Sequence, residues 1–273
     1  MTDPNAVSDA WNLRDASLEE VERVIHDGFP LEQLTERANA YVGWLRSRFP
    51  WAVPKPGAVV LEIGSGVGYL MQAALEQISP SRIIGLDAAE GMIAHAKDRL
   101  VRDNIYDKRI EFLHYNGERI PIPDNTIDFV YSIAVLQHIP RQLVYNLFFE
   151  IKRILKPNGY FSGQISAFSG QFSNQLDPKQ RVAEFRKQIE GQIRNTPMFG
   201  WMTYYSFEEL LYILSQGVEV KDLHIVERDG NLWFSFCKDG QHVFHHSWLP
   251  ELRHGAVRRR LLIGGQADDQ DGA

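Results

Sequence analysis

Apolar positions recur at two spacings along the chain, and the change between them marks its organisation. Leu18, Val21, Val24 and Ile25 have helical spacing. Ser17 precedes them and Glu20 stands three places later, the pattern of a side-chain-capped helix start. Gly28-Phe29-Pro30 ends that helix, and a second is predicted from about Leu31 to Arg48, with Leu34, Ala38, Tyr41, Val42 and Leu45 on one face. Pro50, Pro54 and Pro56 then break the rhythm. Beyond Gly57, short apolar runs take over. Ala58–Ile63, Arg82–Leu86, Ile110–His114, Ile127–Ser132 and Tyr160–Ser166 read as buried strands. Helices predicted at Tyr69–Ile78, near Gly91–Val101 and around Arg141–Leu155 separate them, the last closing in a turn at Lys156-Pro157-Asn158-Gly159. Strand and helix in alternation imply a parallel sheet covered on both faces, with right-handed crossovers.

Residues 167–200 depart from this pattern, being rich in Gln, Ser, Phe and charge, with a candidate helix near Gln180–Arg194. An insertion of this size between strands covers or lines a site. Ser206 caps a helix over Phe207–Ser215, and strands Lys221–Glu227 and Leu232–Cys237 follow, antiparallel across a short turn. The expected fold is α/β: a seven-stranded, mostly parallel sheet with helices on both faces and its last strand antiparallel. A helical cap (1–56) would precede the core (57–240), which carries the insertion at 167–205, and a polar tail (241–273) would follow.

Composition narrows the partners. With 29 Lys and Arg against 35 Asp and Glu, a net charge of −6, the chain lacks the basic excess of a protein built to grip nucleic acid. A single cysteine, Cys237, leaves no intramolecular disulfide, so the cytoplasm is the expected compartment. No apolar run approaches the ~18 residues of a membrane span, and Met1-Thr2-Asp3-Pro4 lacks the blocks of a signal peptide. Oligomeric state has no sequence signal.

The chemistry gathers at Gly64-Ser65-Gly66-Val67-Gly68, directly after the first strand. Glycines there allow a sharp turn and close approach to a ligand, at the end of the sheet where open α/β folds bind. Asp87, ending the second strand, is placed for ribose hydroxyls. A dinucleotide fingerprint would need glycine at position 69, where this chain has tyrosine, and no Gly-Lys-Ser/Thr of a P-loop is present. The block Val60–Gly68, with Ile84–Asp87, Asp124–His138 and Leu155–Tyr160, resembles the four motif blocks of the class I S-adenosylmethionine-dependent methyltransferases, in order and at that family's spacing, over roughly residues 57–166.

That resemblance implies S-adenosyl-L-methionine as cofactor and S-adenosyl-L-homocysteine as product. Glu62 with the amides of Gly64, Ser65 and Gly66 would hold the methionine end, Asp87 the ribose and Met92 the adenine, with Ala88 also among the cofactor-binding residues. Where the family often has Asp after strand three, this chain has Asn116, followed by Gly117; an Asn carbonyl still accepts from an amino group. Ser132 and the residues after it would pass the methionine arm. His138 is the candidate base for a hydroxyl acceptor, since its ordinary pKa is near neutral; packing of the following turn is its structural alternative. Trp201, Tyr204 and Tyr205 read either as an aromatic substrate wall or as core contacts. His242, His245, His246 and His254 lack carboxylate or cysteine partners at ligand spacing, so no metal is expected. Arg258-Arg259-Arg260 reads as a solvated face. The leading expectation is O-methylation of a small polar acceptor such as a sugar or glycoconjugate, from the composition of 167–205. N-methylation, a non-catalytic cofactor-binding module and a nicotinamide dehydrogenase (disfavoured by Tyr69) are its rivals.

Overall fold

The protein, described by a computed structural model at residues 9, 11–26, 29–167, 203–228, 230–239 and 244–247, is built on one sheet. Two helices come first, α1 (Leu18–Ile25) and α2 (Leu34–Arg48), the second entered through a 3₁₀ turn at Leu31–Gln33. The predicted capping box forms, with Glu20 N–H donating to Ser17 Oγ at 3.3 Å and Ser17 N–H to Glu20 Oε2 at 2.8 Å. Then follow β1 (Val59–Ile63), α3 (Tyr69–Ile78), β2 (Arg82–Asp87), α4 (Glu90–Arg102), β3 (Ile110–His114), β4 (Ile127–Ser132), α5 (Arg141–Ile154) and β5 (Leu155–Ser166). The last elements among the described residues are α6 (Phe207–Tyr212), β6 (Lys221–Arg228), β7 (Asn231–Cys237) and β8 (Phe244–Ser247).

The sheet order is β3-β2-β1-β4-β5-β7-β6-β8. The first five strands run parallel, and β7 lies antiparallel between β5 and β6, as expected. A short eighth strand, β8, adds parallel to the outer edge of β6, within the stretch read as a tail. The predicted turn at 156–159 is instead a bulge inside β5: Leu155 pairs with Ile127 and Tyr160 with Phe129, leaving four residues of β5 opposite Asp128 alone. Asn158 takes a left-handed φ of +61° there, and Lys156 Nζ meets the Asp128 carboxylate at 2.8 Å.

Strand alternation sorts the core into two layers. Leu61, Ile63, Val130 and Phe161 face α5 and α6, while Val60, Phe129, Tyr131 and Trp233 face α1, α2 and α3. Val21, Leu34, Ala38 and Val42 of the first two helices share one apolar cluster with Met71 and Ala74 of α3. Residues 11–16 strap across the start of α4: Asn12 Oδ1 accepts from Gly91 N–H at 2.9 Å, Leu13 O meets His95 Nε2 at 2.8 Å, and Arg14 pairs with Glu90. No helix among the described residues is long and apolar enough to cross a membrane.

Candidate active site

The chain leaves β1 for β2 on one side and returns to β4 on the other. The crevice at the carboxyl ends of β1 and β4 is therefore the topological switch point of the sheet, where open α/β folds take ligands. A cavity of about 300 Å³ opens there.

One wall is the glycine loop. Gly64, Gly66 and Gly68 adopt φ of +73°, +49° and +83°, and a side chain at 64 would collide with Val135. Arg99, fully buried on α4, braces this loop from behind. Its Nε donates to Val67 O at 2.7 Å and its Nη2 to Gly68 O at 3.1 Å, while Nη1 reaches Gln72 and Asp103. Sequence reading missed this role, although Met92, Ala96 and Arg99 share helical spacing, which sets a charge on an apolar face.

Asp87 ties the loop to the start of α4. Its Oδ2 accepts from Gly66 N–H at 2.9 Å and its Oδ1 from Ala89 N–H at 3.0 Å. Desolvation nonetheless pushes its carboxyl above the ordinary aspartate range. Glu62 is buried at 1% exposure, and its one hydrogen bond is from Tyr131 Oη at 2.8 Å. Burial drives its pKa well above the usual value; the Tyr131 bond opposes this and the Asp87 charge adds to it. Ser65 Oγ is buried without a partner at the same wall, in space left by Gly85, where a Cβ would come within 2.8 Å of that oxygen.

The structure brings Ala88, Met92, Asn116 and Gly117 to the cavity beside these groups. Asn116 Oδ1 accepts from Glu118 N–H at 3.1 Å, which folds the turn. Ser132 lies behind the wall instead, donating to Ile63 O at 3.1 Å, and the lining at this point is Ile133, Ala134 and Val135. Ala134 is held at a left-handed φ of +60° by its N–H bond to Gln164 Oε1, 2.8 Å. His138 ends the 3₁₀ turn Leu136–His138 and lines the cavity, with the Trp11 ring edge-on to it at 5.5 Å.

The cap closes the opposite side. Trp11, Ile25, His26, Leu34, Arg37, Ala38 and Tyr41 all line the cavity, and only the apolar face of α2 hinted at this in the sequence. Of the two readings given to Trp201, Tyr204 and Tyr205, the core contact fits Tyr205. Tyr205 is buried in the core under the Arg141 guanidinium, Tyr204 O accepts from Arg141, and neither lines the cavity. Trp201 and the candidate helix at 180–194 lie outside the described residues, as do His242, His254 and 258–260. His245 and His246 fall on β8. No cluster of three metal-ligating side chains occurs among the described residues.

A parallel sheet switching at β1/β4, a braced glycine loop and an acidic residue ending β2 define a class, and residues 61–162 match the family model described as "Methyltransferase domain". The matched stretch runs from β1 into β5 and contains the glycine loop and Asp87. Among curated proteins, the chain is 30% identical over 135 residues to a sterol 24-C-methyltransferase of Schizosaccharomyces pombe, covering 50% of this chain and 34% of that protein. It is 30% identical over 165 residues to a mitochondrial ubiquinone biosynthesis O-methyltransferase of Dictyostelium discoideum, covering 56% and 47%. The chain thus spans less than half the length of these relatives. The fold matches a putative S-adenosyl-L-methionine-dependent methyltransferase of Methanococcus maripaludis with TM-score 0.56 at 19% identity, over 82% of this chain and 94% of that one.

The cavity fits this cofactor class. A loop that only glycine can line admits a ligand against its backbone, a desolvated Glu62 gains from an arriving cation, and Ser65 Oγ awaits a partner. Glu62 also carries a testable cost. The folded state holds its proton more tightly than the unfolded chain, so stability falls as pH rises from the ordinary glutamate range towards the raised value. Glu62→Gln, which can still accept from Tyr131, is expected to raise the melting temperature at pH 7 by about 2–4 °C per kcal/mol relieved. Melting curves at pH 7 and pH 4 check this, since the gain should vanish at the acid end. The same variant should bind S-adenosylhomocysteine more weakly.

Proposed function

We propose that this chain is an S-adenosylmethionine-dependent methyltransferase whose acceptor is a small molecule with an apolar body and a hydroxyl group. The observation that carries this reading is one cavity with two unlike sets of lining residues. Glu62, the glycine loop and Asp87 line it together with His138 and with apolar side chains of the cap and α5.

Glu62 would take the ammonium of the cofactor, the loop amides and Ser65 its methionine end, Asp87 the ribose hydroxyls, and Met92 the adenine face. When bound, S-adenosylmethionine supplies a methyl group on a sulfonium, already a strong electrophile. The chain's work is then positioning: holding the acceptor close and in line, with water kept out. Ile25, Leu34, Ala38, Leu143 and Leu147 offer the surface for an apolar body. This is why the acceptor proposed here is less polar than a sugar, whose expectation rested on residues outside the described ones. His138 would accept the hydroxyl proton as the new bond forms, a role for which imidazole is suited near neutral pH. The relatives named for sterol carbon and ubiquinone oxygen methylation lend weight to an apolar acceptor.

The test is transfer of label from methyl-tritiated S-adenosylmethionine into a metabolite extract. Label in an organic-soluble small molecule is the expected result. Tight S-adenosylhomocysteine binding with no transfer would return the non-catalytic module. His138→Gln should lower turnover at saturating cofactor about 100-fold or more with S-adenosylhomocysteine affinity unchanged. A rate within twofold of the parent would leave His138 a packing residue.

A further inference from the structure

Residues 133–138, between the end of β4 and the start of α5, join the two parts of the site. Ile133, Ala134 and Val135 line the cavity, and His138 closes the segment. Val135 packs on the glycine loop so closely that a Cβ on Gly64 would collide with both its methyl groups. Its carbonyl accepts from His138 N–H at 2.8 Å. The placement of Val135 therefore fixes the loop and His138 relative to each other.

The local sequence does not favour the shape this segment takes. Ala134 sits at φ +60°, a region that alanine avoids, and it has no polar side chain to bond the backbone there. Such a residue persists only where its surroundings hold it. Gln164 supplies that hold. It follows Gly163, which pairs with Ser132 at the end of β4, and it is 5% exposed. Its Oε1 accepts from Ala134 N–H at 2.8 Å, and its Nε2 donates to Asn231 Oδ1 on β7. The second bond turns the amide so that its oxygen faces Ala134. At the other end of the segment, Thr203 N–H donates to Gln137 O at 2.7 Å.

We infer that Gln164 is a positioning residue for methyl transfer, which acts through Ala134 to keep Val135 on the glycine loop and His138 in its place. Gln164 is not among the residues that line the cavity, so its effect passes through the backbone of the turn. The role rests on the cofactor and base assigned in the function proposed above. Without the amide oxygen, Ala134 relaxes towards negative φ and carries Val135 off Gly64. Only the fraction of molecules that keep the turn then binds cofactor, and apparent affinity falls by that fraction.

Calorimetric titration of the whole chain with S-adenosylhomocysteine, beside thermal melts, tests this. Gln164→Leu keeps the bulk and removes the acceptor, and should weaken binding about tenfold or more. Adding Ala134→Gly, which is at ease with a positive φ, should bring the double variant back to within about threefold of the parent. Label transfer from methyl-tritiated S-adenosylmethionine into a metabolite extract should fall and recover in the same order. A Gln164 that only fills the core or ties β5 to β7 would gain nothing from glycine at 134. If Gln164→Leu does not fold, Gln164→Asn, a methylene shorter, keeps an amide in the interior and carries the same predictions. Parent-like affinity and transfer in the folded variant, or a loss that Ala134→Gly leaves uncorrected, overturns the inference. Failure of the parent to bind S-adenosylhomocysteine would instead sink the proposed function.

Discussion

Asp87→Ala is expected to weaken S-adenosylhomocysteine binding roughly ten- to a hundredfold, about 1.5–3 kcal/mol. Two losses combine. The carboxylate that would receive the ribose hydroxyls disappears, and so do the bonds from Gly66 and Ala89 that join the glycine loop to α4. Stability should suffer far less than affinity, because desolvation already holds this carboxyl above its ordinary pKa and burdens the folded state at neutral pH. Calorimetry beside a thermal melt reads both. Asp87→Asn, which keeps one acceptor oxygen, should fall between parent and alanine variant. Parent-like affinity in the alanine variant would remove the end of β2 from the nucleoside site.

The second large effect belongs to Arg99. Replacing it by methionine leaves Val67 O and the half-buried Gln72 Oε1 without their Arg99 donor, while Gly68 O keeps the Gln72 N–H at 3.2 Å and Asp103 keeps Arg102. Each acceptor so unpaired costs about 1–3 kcal/mol, and the two together about 2–6 kcal/mol. Arg99 stacks 4.3 Å over Tyr69, so the loss also unseats the residue that receives α1. The expected result is a melting temperature lower by roughly 6–15 °C and weaker cofactor binding in the protein that stays folded. Urea unfolding and calorimetry below the transition check the two parts. A normal S-adenosylhomocysteine affinity in a destabilised variant would make Arg99 a brace of the core with no hold on the loop.

What could be read from the sequence follows from where free energy is concentrated. β2 and β4 lie within a residue of their expected limits, because strands buried on both faces are apolar runs; the half-buried edge strand β3 also matches, its Ile110, Phe112 and Leu113 marking it. The glycine loop was legible because its backbone excludes other residues. β8 was not: Phe-His-His-Ser carries no apolar run, and only pairing to β6 makes it a strand. The bulge at 156–159 hid behind turn chemistry, since Pro-Asn-Gly serves a turn and an interrupted strand alike. Tyr205 shows the limit for aromatics. Its type suits a ligand wall and a core equally, and tertiary packing under Arg141 decided for the core. The cap's share of the cavity lay beyond local reading because Trp11, Ile25 and Arg37 join the loop in lining it only across long stretches of chain.

Glu22 is fully buried, where it accepts from Tyr69 Oη at 2.7 Å and from Arg102 at 2.8 and 2.9 Å. This junction sets a rule for building chimeras. Exchanging everything ahead of the proline-rich stretch between related proteins would strand a carboxylate unless the recipient supplies a matching phenol and guanidinium. Positions 69 and 102 must therefore be transplanted together with the helix they receive.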